Sequence, residues 1–303
     1  MNKFLKRNVL GMPMICALCI FGALLICILV GSFIDLNIDV ALYNKTTIGE
    51  HFATYGSIIS YCLYPAAGMC LFKALKKKGG NYIFLGWVLL IISVFLAVYY
   101  SDNYNGSKLR GVLGDFTGVW FVSILIWTLI YSWVPVVCYF IIDDSHPERL
   151  IAVGVIILVA GVASDCVNSW FKQLASRPRY SYLLTKEAQE AGITFKNWWE
   201  WSPYLAGDND GLKSWPSINM TIAMMAFMYP SLIANFKKSN KIIKYVVFGL
   251  SCAYVILYGY NRIHMGKHSL TDVAFGALFT YIVFVLMDQG FELSLKKLNK
   301  QRK

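Results

Sequence analysis

The sequence predicts an all-α fold, a polytopic membrane helical bundle of about eight transmembrane helices. Of the 303 residues, 57% are hydrophobic and only 15% are charged, and the mean hydropathy is +0.53. A soluble domain cannot bury that much apolar surface. The apolar residues also fall into runs close to the roughly 20 residues that cross a bilayer core. The eight predicted spans are residues 9–34, 52–75, 82–100, 118–142, 150–171, 216–236, 245–260 and 270–287.

Four clusters of Lys and Arg flank these spans and predict their orientation. The clusters lie at residues 3–7, 76–78, 237–244 and 296–303. With eight spans all four fall on one side, which the positive-inside rule makes the cytoplasm, so both termini are expected there in a multi-pass protein of the cell membrane. The net charge of +11 is then explained by topology and contact with anionic lipid. The expected partner is the lipid bilayer, and no interaction with nucleic acid is expected.

The chain divides by role into three parts. Residues 1–149 contain almost no intramembrane charge and are interpreted as N-terminal scaffold helices, residues 150–288 carry the chemistry, and residues 289–303 form a basic cytoplasmic tail. The first apolar run is too long for a signal-peptide core and is interpreted as a retained helix. All eight cysteines fall inside spans, so no disulfide framework is expected.

Two loops are longer than the rest. Residues 101–117 are polar and contain Asn105-Gly106, which favours an outer loop with a turn. Residues 177–215 form the longest loop, and loops of this length are usually functional. Within it, residues 185–191 have helix-forming composition before Gly192. Residues 197–201 hold three tryptophans, which either anchor the loop at the headgroup level or form a lid over a lipid tail.

Three polar stretches lie at the predicted outer ends of spans. The first contains Lys172 and Arg179, and the last contains Arg262. Phosphoryl transfer requires positive charge on the phosphoryl oxygens, and arginine supplies a forked pair of donors while lysine supplies a point charge. These three side chains are therefore the expected phosphate ligands.

The remaining groups of a phosphoryl-transfer site occur in the same stretches. Ser217 and the backbone amides of Ile218 and Asn219 open a helix after Pro216, and such an N-terminus favours an anion. His268 is the candidate nucleophile. Asp272 follows it by four residues, a helical spacing that allows the carboxylate to orient the imidazole.

Taken together, the stretches resemble the signature of the type 2 phosphatidic acid phosphatase and haloperoxidase superfamily, in its membrane lipid phosphatase branch. The family pattern is K-x6-R-P, then P-S-G-H, then S-R-x5-H-x3-D, and it covers under half of the chain. The resemblance implies a phosphatase-like core and hydrolysis of a lipid phosphate or prenyl diphosphate through a phosphohistidine, without cofactor or metal. It also implies an attacking His268 supported by Asp272, and phosphate bound by five residues: Lys172, Arg179, Ser217, Ile218 and Arg262.

The second family motif is degenerate in this chain. Tyr180 and Asn261 replace a proline and a serine, and Ile218 replaces glycine but keeps its amide. Asn219 stands where the family has the histidine that protonates the leaving group, and asparagine cannot give up a proton near neutral pH. Because a phosphate leaving group needs that proton less than an alkoxide does, we expect a preference for lipid diphosphates. His264 is either a substitute acid or a packing residue.

Two further polar residues are expected to support the site. Asp165 lies on the same helical face as Lys172, and an intramembrane acid suggests function, so we expect it to pair with Lys172 or Arg262. Arg177 lies within the first stretch and is expected to hold the phosphate-binding side chains in position without contacting the phosphate itself.

Two other functions compete with the enzyme. His264, His268 and Asp272 have the spacing of three metal ligands on one helical stripe, but the nearby cations would repel a metal. The loss of the proton donor at Asn219 keeps a second alternative open, a non-catalytic lipid-phosphate binder or transporter on the same scaffold.

Overall fold

The computed structural model describes residues 8–114, 116–202, 207 and 209–301 and is almost entirely helical. A short hairpin of two strands with two residues each, β1 (Asn8–Val9) and β2 (Met12–Pro13), precedes the helices. These are α1 (Met14–Leu42), α2 (Thr47–Tyr55), α3 (Ile58–Tyr61), α4 (Leu63–Lys78), α5 (Tyr82–Leu113), α6 (Val119–Ile141), α7 (Pro147–Ala175), α8 (Tyr180–Leu183), α9 (Lys186–Glu190), α10 (Ile218–Met224), α11 (Tyr229–Ile233), α12 (Lys241–His264) and α13 (Leu270–Gln301).

Seven helical segments among the described residues are long and apolar enough to cross a membrane, which confirms the all-α polytopic fold. The predicted span at 216–236 is instead a shorter apolar segment, Ile218–Ile233. It is broken by a 3₁₀ turn at Met225–Met228, just before Pro230. Proline has no N–H to bond the carbonyl four residues earlier. The Ser251 hydroxyl of α12 donates to that carbonyl, Ala226 O, at 2.8 Å.

The bundle has two chemically distinct ends. At one end, Lys73 donates to Ile142 O at 2.6 Å, Lys77 donates to Asp144 O at 2.9 Å, and the backbone of Asp143 bonds that of Asn235. We call this the basic end. The C-terminus of α7, the start of α10 and the α12–α13 turn all lie at the opposite end, so the three motif stretches share one side of the bundle. Of the basic clusters, residues 3–7, 302 and 303 lie outside the described residues.

Three segments differ from the sequence-based expectations. The predicted outer loop at 101–117 is helical through Leu113, because α5 continues past the apolar run. Gly106 lies inside this helix and not in a turn. A Cβ on it would lie 2.3 Å from the Asp102 carboxylate, which binds Arg110. The predicted tail at 289–303 continues the helix of α13 as far as Gln301.

The first helix is the third difference. It kinks at Ile34, the predicted end of the span, and its helical continuation to Leu42 carries Asp35 and Asp39 to the motif end, both buried. Helix α13 packs against α1, α7 and α10, while α4 lies in the interior against α5, α6 and α7.

Candidate active site

Backbone hydrogen bonds join the three motif stretches directly. The Ser217 N–H donates to Asp272 O at 3.0 Å, and the Ser214 N–H donates to Arg177 O at 2.9 Å. Gly276 allows α13 to approach the start of α10, since a Cβ on this residue would lie 2.3 Å from Ser217 O. The relative positions of the motif residues are therefore set by main-chain contacts.

His268 lies in the turn before α13 with its ring almost fully buried. Its Nδ1 is 2.8 Å from Ser214 O, and because a carbonyl only accepts, Nδ1 carries the hydrogen. The lone pair of Nε2 faces the Asn219 amide at 3.4 Å. Burial, and then the charges of Lys172, Arg262 and Arg179, lower the pKa of His268 well below its ordinary value. The ring is therefore a neutral base with Nε2 available for attack.

The predicted pairing of Asp272 with the His268 ring is not observed. His268 precedes the first residue of α13, so the helical four-residue relation does not apply to this pair. The Asp272 carboxylate accepts hydrogen bonds from Arg177 Nη1 at 2.5 Å, from Ser269 N at 2.8 Å and from Ser214 Oγ. Asp272 thus acts on the imidazole through Ser214, whose side chain it binds and whose carbonyl orients the ring.

A cavity of about 510 Å³ is lined by the three predicted phosphate-binding cations and by Asn219, whose amide contacts the His268 ring; His268 itself is not a lining residue. Lys172 donates to Lys213 O and, at 3.4 Å, to Ser214 O. Arg179 forms a two-pronged ion pair with Asp210, with one contact of 2.7 Å. Arg262 forms no side-chain hydrogen bond or ion pair with the described residues.

Three buried polar atoms around this cavity have no hydrogen-bond partner in the described part of the chain: Arg179 Nε, Arg262 Nε and Ser217 Oγ. Ser217 is the N-cap residue of α10, but its side chain does not cap its own helix. Ile218 and Asn219 follow it and line the cavity. Unpaired buried donors are costly, and two of these three belong to cations that line the cavity, Arg179 and Arg262.

Residues 151–293 match the PAP2 superfamily. The chain thus resembles this superfamily over a segment that runs from α7 into α13 and includes all three motif stretches. We call it the PAP2 region. No curated protein and no solved structure matches the chain significantly.

Two residues that were predicted to support the site have other partners. Asp165 was expected to pair with Lys172 or Arg262, but it accepts a hydrogen bond from Tyr104 of α5 at 3.2 Å. His264 was a candidate acid, but its Nδ1 lies 2.8 Å from Leu42 O and its ring stacks on Tyr260. The packing interpretation of His264 is therefore favoured. In the part of the chain that the structure describes, no three His, Cys, Asp or Glu side chains, including His264, His268 and Asp272, are grouped so that they could hold a metal ion.

Arg177 has a more central place than the sequence suggested. It is 1% exposed and donates to Asp272, to Thr271 Oγ1 at 2.8 Å, to Asp35 Oδ2 at 3.0 Å and to Lys196 O at 2.7 Å. Its guanidinium also lies over the Phe195 ring at 5.0 Å. Arg177 therefore links Asp272 to Asp35 of helix α1, which lies outside the PAP2 region.

Asp35 and Asp39 of α1 complete that network. Asp35 accepts from Thr271 N at 3.1 Å and from the Thr271 hydroxyl, and Asp39 accepts from Ser269 Oγ at 2.6 Å. Both acids were missed because the first half was interpreted as scaffold. The signal was present: two acids four residues apart at the end of an apolar run suggest function.

The cavity is completed by side chains that no motif predicted. Asp210 holds Arg179, and Lys267 lines the same cavity as Asn219. From the first half of the chain, Asn105 donates to Ser57 Oγ at 2.9 Å, and both residues line the cavity wall. No spacing rule identifies such contacts, because they depend on how separate helices pack.

The tryptophan-rich loop packs against helices α1 and α13. Trp198 donates to Ser32 Oγ at 2.9 Å and contacts Phe275, with ring centroids 4.6 Å apart. Trp199 and Trp201 remain half exposed. Residues 185–191 include the predicted short helix, α9, with Thr185 as its N-cap.

Proposed function

We propose that this chain is an integral membrane phosphatase that hydrolyses a lipid phosphate or diphosphate through a phosphohistidine on His268. The observation that carries the proposal is the contact of His268 Nε2 with Asn219, which lines a cavity together with Lys172, Arg179 and Arg262. The match to the PAP2 superfamily supports phosphoester hydrolysis as the class of reaction.

The chemistry follows from the fixed tautomer of His268. With Nδ1–H held by Ser214 O, Nε2 attacks the phosphorus while the three cations and Ser217 Oγ bind the non-bridging oxygens. The imidazole gains positive charge as the N–P bond forms. The buried Asp272, bound to Ser214, stabilises that charge. Water then hydrolyses the phosphohistidine, and no cofactor takes part.

A lipid substrate and an extracytoplasmic site are part of the proposal. The cavity extends between α10 and α12, where Ile222 and Tyr258 line it, and this part suits the first atoms of a lipid tail. Lys73, Lys76, Lys77 and Lys237 surround a separate cavity at the basic end. If the basic end faces the cytoplasm, as the positive-inside rule favours, the site faces the outside and both termini are cytoplasmic.

The direct test is phosphate release from a panel of lipid phosphates by purified protein, with His268→Ala as control. The panel includes phosphatidate and a prenyl diphosphate. Release by the wild type that is lost in the variant supports the proposal. Release that is the same in both proteins refutes a phosphohistidine at this position.

Replacing Asn219 by histidine should raise the hydrolysis of an alkyl phosphate monoester, by about 10²-fold in a protein with no other proton donor and by less where another side chain supplies the proton, because a general acid contributes about 10²–10⁴-fold. Hydrolysis of a lipid diphosphate should rise less than about 10-fold, since its leaving group is a weaker base. The wild type should accordingly prefer the diphosphate. The measurement is kcat/KM on both substrates, with Asn219→Gln as a control that keeps the amide. Faster monoester hydrolysis by the wild type would contradict the prediction.

A non-catalytic lipid-phosphate binder or transporter is the second candidate, favoured by Asn219 beside an otherwise complete set of anion-binding side chains. In that case the wild type binds phosphate or diphosphate but releases no product, and Asn219→His creates no activity. Binding calorimetry with inorganic phosphate and diphosphate, run beside the turnover assay, separates the two functions.

The pKa of His268 predicts how its ring responds to acid. Since burial and the nearby cations lower that pKa, the ring should stay neutral, with its hydrogen on Nδ1, as the pH falls through 6.5. Nitrogen-15 NMR of histidine-labelled protein measures both the tautomer and the titration, and His268→Ala assigns the signals. A ring protonated at pH 6.5, or a hydrogen on Nε2, would contradict the assigned role.

A further inference from the structure

The reaction proposed above needs a proton for the leaving oxygen whenever the substrate is an alkyl phosphate, and Asn219 cannot supply it. The donor must then come from another titratable side chain that lines the cavity. These are Tyr104, Lys108, Lys172, Arg179, Asp210, Lys213, Tyr258, Arg262 and Lys267.

Most of these groups are engaged or unsuited. Tyr104 donates to Asp165, Asp210 is held by Arg179, and Lys108 lies 4.0 Å from Glu50. Lys172 is held by the carbonyls of Lys213 and Ser214. Arginine does not release its proton in proteins. Tyr258 is buried one helical turn deeper than Arg262.

Lys213 and Lys267 remain, and neither side chain forms a hydrogen bond or an ion pair with the described residues. Lys267 is the better placed of the two, because it directly precedes His268. Its N–H donates to Arg262 O at 3.1 Å, and its side chain lines the same cavity as Asn219.

The surroundings of Lys267 also favour proton release. Burial lowers the pKa of its ammonium group, and Arg179, Arg262 and Lys45 lower it further, while Asp210 acts in the opposite direction. A general acid is most effective when its pKa lies near the working pH, and lysine approaches that range only when it is lowered in this way.

We propose that Lys267 is the general acid that replaces the missing histidine. Resting on the proposed phosphatase function, the step is as follows. Nε2 of His268 bonds to phosphorus, the bond from phosphorus to the leaving oxygen breaks, and that oxygen takes a proton from the Lys267 ammonium. The neutral amine then takes a proton from the water that cleaves the phosphohistidine, which restores the ammonium group.

The test compares two leaving groups in Lys267→Gln. An alkyl phosphate releases a strongly basic alkoxide and needs the acid, whereas p-nitrophenyl phosphate releases a weakly basic phenolate and needs it little. We expect kcat/KM to fall by about 10²–10³-fold on the alkyl phosphate and by less than about 10-fold on the aryl phosphate. Lys213→Gln removes a charge from the same cavity and should lower both substrates by the same small factor.

Two further readouts separate proton transfer from charge. The basic limb of the wild-type pH profile on the alkyl phosphate should disappear in Lys267→Gln, and adding Asn219→His to that variant should restore activity. Equal losses on both substrates, or no loss, would overturn the role of Lys267 while leaving the phosphatase intact. A wild type without turnover on any substrate would overturn both proposals.

Discussion

Replacing His268 by alanine is expected to reduce phosphate release by about 10⁴-fold or more, because the loss of a hydrolase nucleophile has an effect of up to about 10⁶-fold. The cavity cations remain in this variant, so phosphate binding should change by less than about 10-fold. The measurement is kcat, together with calorimetric titration of inorganic phosphate. A nucleophile whose removal spares binding and abolishes turnover fits covalent catalysis.

His146→Ala is the matched control for that experiment. His146 is exposed, it precedes α7 near the basic end, and its side chain caps no helix. Its removal should leave both kcat and binding unchanged. An acid-labile, alkali-stable phosphoprotein should accumulate with the wild type and be absent with His268→Ala. If the variant retains the label, another residue carries the phosphoryl group.

Replacing Arg177 by methionine should have the largest effect on stability. The side chain is buried between Asp35 and Asp272, and its removal leaves two buried carboxylates without a countercharge. Breaking a buried ion pair costs about 3–5 kcal/mol, so the free energy of unfolding should fall by about that amount. Activity should fall as well, since Asp272 loses its 2.5 Å contact. Unfolding of the detergent-solubilised protein and kcat are the two measurements.

Arg110 offers a matched comparison, because its Nη1 contacts both carboxylate oxygens of a single aspartate, Asp102. That pair is partly exposed at side-chain fractions of 26% and 16%. Arg110→Met should therefore cost about 1 kcal/mol or less. Adding Asp35→Asn to Arg177→Met removes one unpaired charge and should recover part of the stability. Equal losses in the free energy of unfolding for the two arginines would show that the buried pairs of Arg177 stabilise the protein no more than the partly exposed pair of Arg110.

The fold class followed from composition because the bilayer allows few alternatives. A run of apolar residues of sufficient length has to be a helix, since each backbone polar group needs a partner within its own segment. Helix ends were less predictable. Residues 101–113 are polar yet helical, because Asp102, Arg110 and Ser123 satisfy one another on the protein side of the bundle.

The motif residues were also predictable to a point. The structure brings Lys172, Arg179, Arg262 and Asn219 to one cavity, and His268 contacts Asn219. The partner of each side chain was not predictable. The His268 ring bonds the Ser214 carbonyl, and a backbone acceptor leaves no trace in residue type.

The amino-acid sequence alone was sufficient to predict a helical membrane protein, the end of the bundle where its motif residues lie, and the residue types proposed to bind phosphate. Only the packed structure assigned Asp35 and Asp39 of the first helix to the support of Asp272, and Lys267 to the cavity. The physical reason is the range of the interactions. Hydropathy and motif spacing act along the chain, whereas Asp35 meets Thr271 across 236 residues through the packing of α1 against α13.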